Sequence, residues 1–521
     1  MPTPYWITAT PPAPHGELHI GHLAGPYVAA DVLARFLRAD GRPVRFATGT
    51  ADHAASVEAR ALRTGRKPAE VAEGYRAAIT ADWRRSGITF DRIVHPRGDQ
   101  GYTRWIQELF ARLHADGVIA PRARLLPYCA SCDRWLHGAH VTGGCPHCGR
   151  TGAGGTCRAC ARPNDGGDLL DPTCTRCDTP ARPRRCRRLY LPLEPFRDPL
   201  ADHWAASALP PRLAALCEGL IEDGLPDVAV GHPGEWGIPV PVEEFADHRI
   251  DACFETAAMQ LFGHGAHEEE LPERSVHFCG YGHAFCHAVL LPVLLLAQGL
   301  KLPQDFCVNE DFRIGDGGPE GVWALDLLTE FGSDTLRRHV LQARPAGRST
   351  GFDRERLARA RRVLDTTWNG WLARVFAAVR EESAGVVPGV LPGGTGWDRH
   401  VRRVGRGVEE LREAYDLESF DPRRAVAMLD EIVRATDDFG HLNTHERRRP
   451  HRDGRHLAPL VAQLSVAAGL TAWARPVMPE GADRLAAALR IAPGGPVTAQ
   501  ALAAPAAGTR LDPPSGPVFG F

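Results

Sequence analysis

The sequence predicts an α/β protein: a doubly wound parallel sheet, interrupted by a metal-stabilised insertion and followed by an α-helical bundle. Three observations carry the prediction. Apolar strands alternate with long helical runs through residues 1–118, the pattern of a parallel sheet with crossover helices. Four C-x-x-C pairs crowd between Cys129 and Cys177. Beyond Asp353 helical periodicity dominates. The boundaries that follow are 1–118, 119–190, 191–352, 353–492 and a Pro/Gly/Ala-rich tail, 493–521.

In chain order, Tyr5–Ala9 reads as a strand feeding a helix from Gly21 to Ala39, and Pro43–Phe46 as the next strand. Helices follow around Ala54–Thr64, Pro68–Ser86 and Thr103–Asp116. From Leu125 to Arg188 the texture turns to Cys, Gly, Pro and Arg with little periodicity. Alternation resumes at Leu189, with helical stretches at Pro199–Ala206 and Leu213–Glu222. Val276–Cys279 reads as a strand, His283–Leu296 as a buried helix and Asp326–Ala343 as helical. The bundle is expected from Arg354–Glu382, Asp398–Tyr415, Pro422–His441 and Leu457–Ala474.

The most informative local feature is His19-Ile20-Gly21-His22, between the first strand and its helix. Glycine lets backbone approach a nucleotide, the helix start carries partial positive charge, and imidazoles can donate to phosphate. Packing histidines are the bland alternative; the strand-to-helix position favours nucleotide or substrate contact.

Composition excludes several classes. Apolar residues make up 44% and charged residues 24% of 521, so the chain is globular rather than disordered. No apolar run approaches the ~20 residues needed to span a bilayer, and no basic cluster precedes an apolar stretch at the N-terminus. A cytoplasmic protein with no membrane partner is expected. A net charge of −2 gives no global basic field for nucleic acid. Nearly all basic charge is arginine, since Lys67 and Lys301 are the two lysines.

The C-x-x-C pairs are Cys129/Cys132, Cys145/Cys148, Cys157/Cys160 and Cys174/Cys177. Each places two thiolates on one tight turn, and two such turns complete a tetrahedral zinc site. Eight thiolates make two closed, structural sites. A redox role is disfavoured, because it calls for a C-x-x-C inside a thioredoxin-like βαβ unit. The remaining cysteines read as buried apolar-like thiols.

Together these segments resemble methionyl-tRNA synthetase, a class I aminoacyl-tRNA synthetase. The residues that carry the resemblance are Thr8–Gly25 with its HIGH motif, Phe46–His53, Leu126–Cys177, Trp236–Pro241 and Asp334-Thr335-Leu336-Arg337. The resemblance implies a Rossmann-like catalytic domain in two halves, 1–118 and 191–352, around a connective insertion with two zinc knuckles. It further implies that Cys145, Cys148, Cys157 and Cys160 share one zinc, and Cys129, Cys132, Cys174 and Cys177 the other. The implied chemistry is condensation of an amino acid with ATP, with Mg²⁺, to an adenylate, then transfer to a tRNA hydroxyl. His19, Gly21 and His22 would serve the nucleotide.

Against that pattern the chain departs at the substrate positions. The lysine-rich ATP loop aligns with Arg313-Ile314-Gly315-Asp316-Gly317. Arg313 can replace a lysine, but Asp316 reverses the charge beside a polyanion, a cost of several kcal/mol at about 4 Å and an effective dielectric of about 20. A shifted loop is the alternative, given the Gly/Pro crowding that follows. The ribose-binding segment reads Gly280-Tyr281-Gly282, leaving open whether ATP still binds. The aspartate for the substrate ammonium aligns with Ala51, with Asp52 adjacent. The methionine pocket aligns with Ala13, Arg249 and Thr256, on a segment carrying Asp251 and Glu255, while His287 matches its histidine. Such a set suits a polar or charged group, although Arg249 and Glu255 read almost as well as a structural salt bridge. In the bundle, the Asn-x-x-x-Arg signature aligns near Ala373 and Ala377, and the anticodon reader has no counterpart around Asn443–Glu446. The basic run Arg447–Arg452 reads as a solvated loop sooner than as an RNA contact.

Three functions compete. The first is a synthetase-like enzyme of small-molecule metabolism, activating or condensing a polar non-methionine amino acid with a small-molecule acceptor. Hydrazine-forming enzymes join such a domain to a cupin; this chain shows none, so a separate cupin or carrier partner is expected. The second is a methionine–tRNA ligase, with tRNA as partner. The third is a non-catalytic binder.

Overall fold

A computed structural model describes residues 4–265, 271–272, 274–315, 322–447 and 454–520. Its centre is a five-stranded sheet in the order Gln304–Asn309, Ser275–Gly280, Tyr5–Ala9, Val44–Gly49, Arg92–Val94. All four pairings are parallel, with Ile7 opposite Val276 on one side and Phe46 on the other. The central strands are almost wholly buried, as a sheet covered on both faces requires. The chain order runs outward in one direction from Tyr5–Ala9 and returns on its other side, so a switch point lies between that strand and Ser275–Gly280. Ligands bind at the carboxyl ends of strands at such a point.

The helix expected from Gly21 to Ala39 begins at Ile20 and passes through a wide π turn, Leu23–Tyr27, before the regular helix Val28–Ala39. Pro26 lacks an N–H, which opens the ladder there. Gly25 lies against the edge of the sheet: a Cβ would meet the Asn309 amide at 3.1 Å.

Long antiparallel strands, Ala120–Cys129 and Arg182–Pro192, carry the chain out to the cysteine module and back. Around Cys129 and Cys174 the module has a small core of its own, Leu136, Val141 and Leu169. The second half adds a buried helix, Ala252–Gly263, capped by Asp251, and Cys286–Leu296 behind it.

Sequence patterning passed over Arg92–Val94, Gln304–Asn309, Ala252–Gly263 and the helix Pro479–Leu489. It also joined residues 326–343, which break at Gly332, whose φ of +78° only glycine adopts easily. The tail contains little regular structure and is mostly exposed, but its end packs into the core. Phe519 is buried, and Asn369 Oδ1 accepts from the Val518 and Phe519 amides.

One hydrophobic core runs from Tyr5–Ala9 and Val28–Ala39 into the bundle helices, so the two regions fold against each other. Arg337 pins the junction. Its guanidinium donates to Asp31 at 2.7 Å and to the carbonyls of Ser86, Val477 and Pro476. Among the described residues no helix is long and apolar enough to cross a membrane.

Candidate active site

A cleft of about 1300 Å³ opens at the switch point, larger than the ~300–1000 Å³ of most small-molecule sites. The HIGH turn forms its floor. His19 Nδ1 accepts from the Gly21 amide and His22 Nδ1 from the His19 amide, both at 3.1 Å. A ring nitrogen that accepts from backbone is unprotonated, so each neutral imidazole carries its proton on Nε2, as a donor. Burial, then the nearby Arg158 cation, lowers the pKa of His19 to about 4; burial, then His19, lowers His22 well below the usual imidazole value. Both are therefore neutral donors at ordinary pH. Gly21 is required for the fold-back, since a Cβ would stand 2.9 Å from the His19 ring.

Asn309 and Gly280 also line this end, and Asn309 Oδ1 is buried without a partner. Neutral donors, glycine-allowed backbone approach and an orphaned acceptor fit a nucleotide. Arg313 lies on the cleft wall in a short strand paired with Thr350–Gly351. Asp316 and Gly317 lie outside the described residues, as do Arg448–Arg452.

At the other end, Ala13, Ala51, His53, Trp236 and Thr256 line the cleft. Glu255 is buried behind this wall rather than on it, bonded to His53 Nδ1 at 2.9 Å. Adjacent positions on a helix diverge by about 100°, so Thr256 faces the cleft and Glu255 turns inward. Burial pulls the His53 pKa down, but the Glu255 carboxylate more than offsets it, and the net shift is upward. Asp251 reaches the cleft while capping its helix, accepting from Cys253 and Phe254 amides and pairing with His232 at 2.9 Å.

Besides Glu255, three more expected pocket residues are turned to other uses. Asp52 is fully buried and accepts from the Arg97 amide, so it does not stand in for the residue that Ala51 replaces. His287 is buried one layer behind the wall, bonded to Thr10 at 2.9 Å. Arg249 touches the rim of the cleft, but its guanidinium donates to the carbonyls of Glu235, Ala246 and His248, closing a loop. It makes no pair with Glu255.

The eight module cysteines form two groups, Cys129/Cys132/Cys174/Cys177 and Cys145/Cys148/Cys157/Cys160, each with its Sγ atoms within 4.8 Å of one another. Close Sγ pairs of 3.5–4.0 Å match the roughly 3.8 Å edge of a tetrahedron with ~2.3 Å Zn–S bonds. Each group can hold a zinc ion, with no open position for catalysis. Sequence reasoning did not single out His53, Trp236, His232 or Arg158 as site residues, although His53 and Trp236 lie in segments that carry the resemblance. The His53–Glu255 pair spans too many residues for any spacing rule to reveal it.

A cleft at the switch point of a parallel sheet, with neutral donors at one end and a buried ion pair at the other, defines a nucleotide-handling α/β enzyme. Residues 5–375 match the family described as tRNA synthetases class I (M), and the chain belongs to that family of ligases. It is 27% identical to the methionine–tRNA ligase of Thermomicrobium roseum over 84% of this chain and 79% of that protein. The methionine–tRNA ligase of Pyrobaculum islandicum is 27% identical over 90% of this chain and 86% of its own. The fold is that of Mycobacterium tuberculosis methionyl-tRNA synthetase in complex with methionyl-adenylate, at a TM-score of 0.80, 22% identity and full coverage of both chains.

Proposed function

We propose that this chain activates a polar amino acid other than methionine with ATP and Mg²⁺ in the cytoplasm, and passes the acyl group to a small-molecule acceptor in natural-product biosynthesis. A separate cupin or carrier protein would take part, without anticodon-dependent tRNA charging. The observation that carries the proposal is the His53–Glu255 pair set behind Ala13, Ala51 and Thr256. With Nδ1 bound to the carboxylate, His53 keeps Nε2 for a ligand in the cleft. A charged imidazole there favours a carboxylate or other hydrogen-bond acceptor over a thioether. At the opposite end, His19 and His22 would donate through Nε2 to the phosphate as negative charge builds during attack by the amino-acid carboxylate.

Amino-acid-dependent ATP–pyrophosphate exchange tests the proposal, across methionine and acidic, basic and hydroxylated amino acids. Exchange with a polar amino acid and not with methionine is the expected outcome. Similarity to named methionine–tRNA ligases along most of the chain favours a second reading, ATP-dependent charging of tRNA with methionine. Exchange with methionine alone would establish it. No exchange at all would leave a binding protein or an ATP-independent reaction.

A further inference from the structure

We propose that Arg158, carried on the Cys157–Cys160 knuckle, is a phosphate-binding residue of the nucleotide site, and that the zinc module supplies a cation the ATP loop no longer offers as lysine. The inference rests on the ATP-binding reading above. Its basis is the way the knuckle docks. The turn at the end of Ser275–Gly280 presses on it so closely that a Cβ on Gly282 would come within 2.9 Å of Arg158 Cα and 3.1 Å of its carbonyl. Tyr281 donates through its hydroxyl to the Cys160 carbonyl at 3.4 Å. Arg212 donates to the Ala159 carbonyl at 2.9 Å while its guanidinium lies over the Tyr281 ring. The knuckle is thus held against the cleft by three contacts, and its one long charged side chain enters the cleft wall.

Several other arginines of that wall are committed elsewhere. Arg134 is paired with Glu58 and Arg124 with Asp227, and Arg249 is spent on backbone carbonyls. Arg60 and Arg63, like Arg158, bear on His15 at the side of the cleft, and Arg313 stands on the strand paired with Thr350–Gly351. Arg158 has no carboxylate partner among the described residues, and its field reaches His19, His22 and His283 together. Of the acids nearby, Glu310 is engaged by Arg212; Glu17 and Asp311 share the cleft wall. An unpaired guanidinium beside two neutral Nε2–H donors and a helix start is a complement for a polyphosphate, which it meets with two parallel hydrogen bonds.

The test is calorimetric binding of a non-hydrolysable ATP analogue, and of adenosine, to the zinc-loaded full chain and to Arg158→Ala and Arg158→Lys. Metal content is measured on each to show that the knuckle is intact. The expected result is a loss of about tenfold in analogue affinity for R158A, partial recovery in R158K, unchanged adenosine binding and unchanged zinc. If the unaltered chain binds the analogue and R158A binds it equally, the role of Arg158 is overturned and the ATP reading stands. If the unaltered chain binds no analogue, both fall. Loss of zinc together with analogue binding in R158A and R158K alike would make Arg158 a structural residue and overturn its role as a phosphate ligand.

Discussion

The two ends of the cleft are built by opposite means. At the phosphate end, backbone amides set the histidines: Gly21 and His19 N–H groups fix which nitrogen of each ring is protonated, and burial keeps both neutral. At the substrate end a buried carboxylate, Glu255, sets the histidine and holds a proton on it. Neutral donors serve charge that appears during a reaction. A standing ion pair serves charge or polarity that the ligand brings with it. One end is therefore suited to common chemistry and the other to a particular substrate.

That contrast can be broken in order of expected effect. Stripping zinc, or replacing Cys157 with Ser, should abolish binding of the ATP analogue, because the Cys157–Cys160 knuckle abuts the phosphate end. Structural zinc contributes about 10–16 kcal/mol to isolated fingers. Calorimetry with the analogue and metal analysis will show whether nucleotide binding and zinc are lost together; full analogue affinity in the stripped protein would separate the module from the site. His19→Ala removes one donor from the developing charge and should lower the exchange rate ~10²–10³-fold with amino-acid affinity unchanged. Glu255→Gln should do the reverse, weakening the amino acid about tenfold while analogue affinity stays level. A matching loss at both ends would erase the distinction.

The pH response sharpens the comparison. The folded pKa of His53 is raised above its unfolded value of about 6.5. Its contribution to stability and to binding an acceptor group is thus full below that value, and is lost as pH rises through the folded pKa. Amino-acid affinity should fall with rising pH across that window. Analogue affinity should gain or lose nothing from His19, which at about 4 is already neutral throughout the range. The smallest effect is expected at Arg249→Ala, whose bonds go to a loop: substrate affinity should change less than about threefold, with a stability loss of ~1 kcal/mol in denaturant titration.

Much of this architecture was legible in the sequence. Alternating apolar strands and helices, the HIGH turn and four C-x-x-C pairs each follow from a local rule. Side-chain direction was not legible. Arg249, Glu255 and Thr256 fall in one short stretch, yet only Thr256 faces the cleft freely, because a strand end and a helix turn lie between them. His287 was expected beside the substrate, but its helix places it behind Thr10. Arg158 looked like one more arginine in an arginine-rich module; only the docking of the knuckle on Gly282 gives it a role. The strand Gln304–Asn309 passed unnoticed because its mixed polar residues are buried by the sheet rather than marked by alternation.

The continuous core between sheet and bundle has a bearing on how such a chain can change. Arg337 is wholly buried, and three of its five hydrogen-bonding directions end on residues from opposite ends of the polypeptide: Asp31, Pro476 and Val477. Deleting the bundle would leave the Arg337–Asp31 pair in place but take away the Pro476 and Val477 carbonyls, and each donor of a buried guanidinium left unsatisfied costs about 1–3 kcal/mol. A descendant with no use for these helices would still be unable to discard them. The bundle then persists as ballast for the catalytic half, its exposed face free to change while its packing face is held in place.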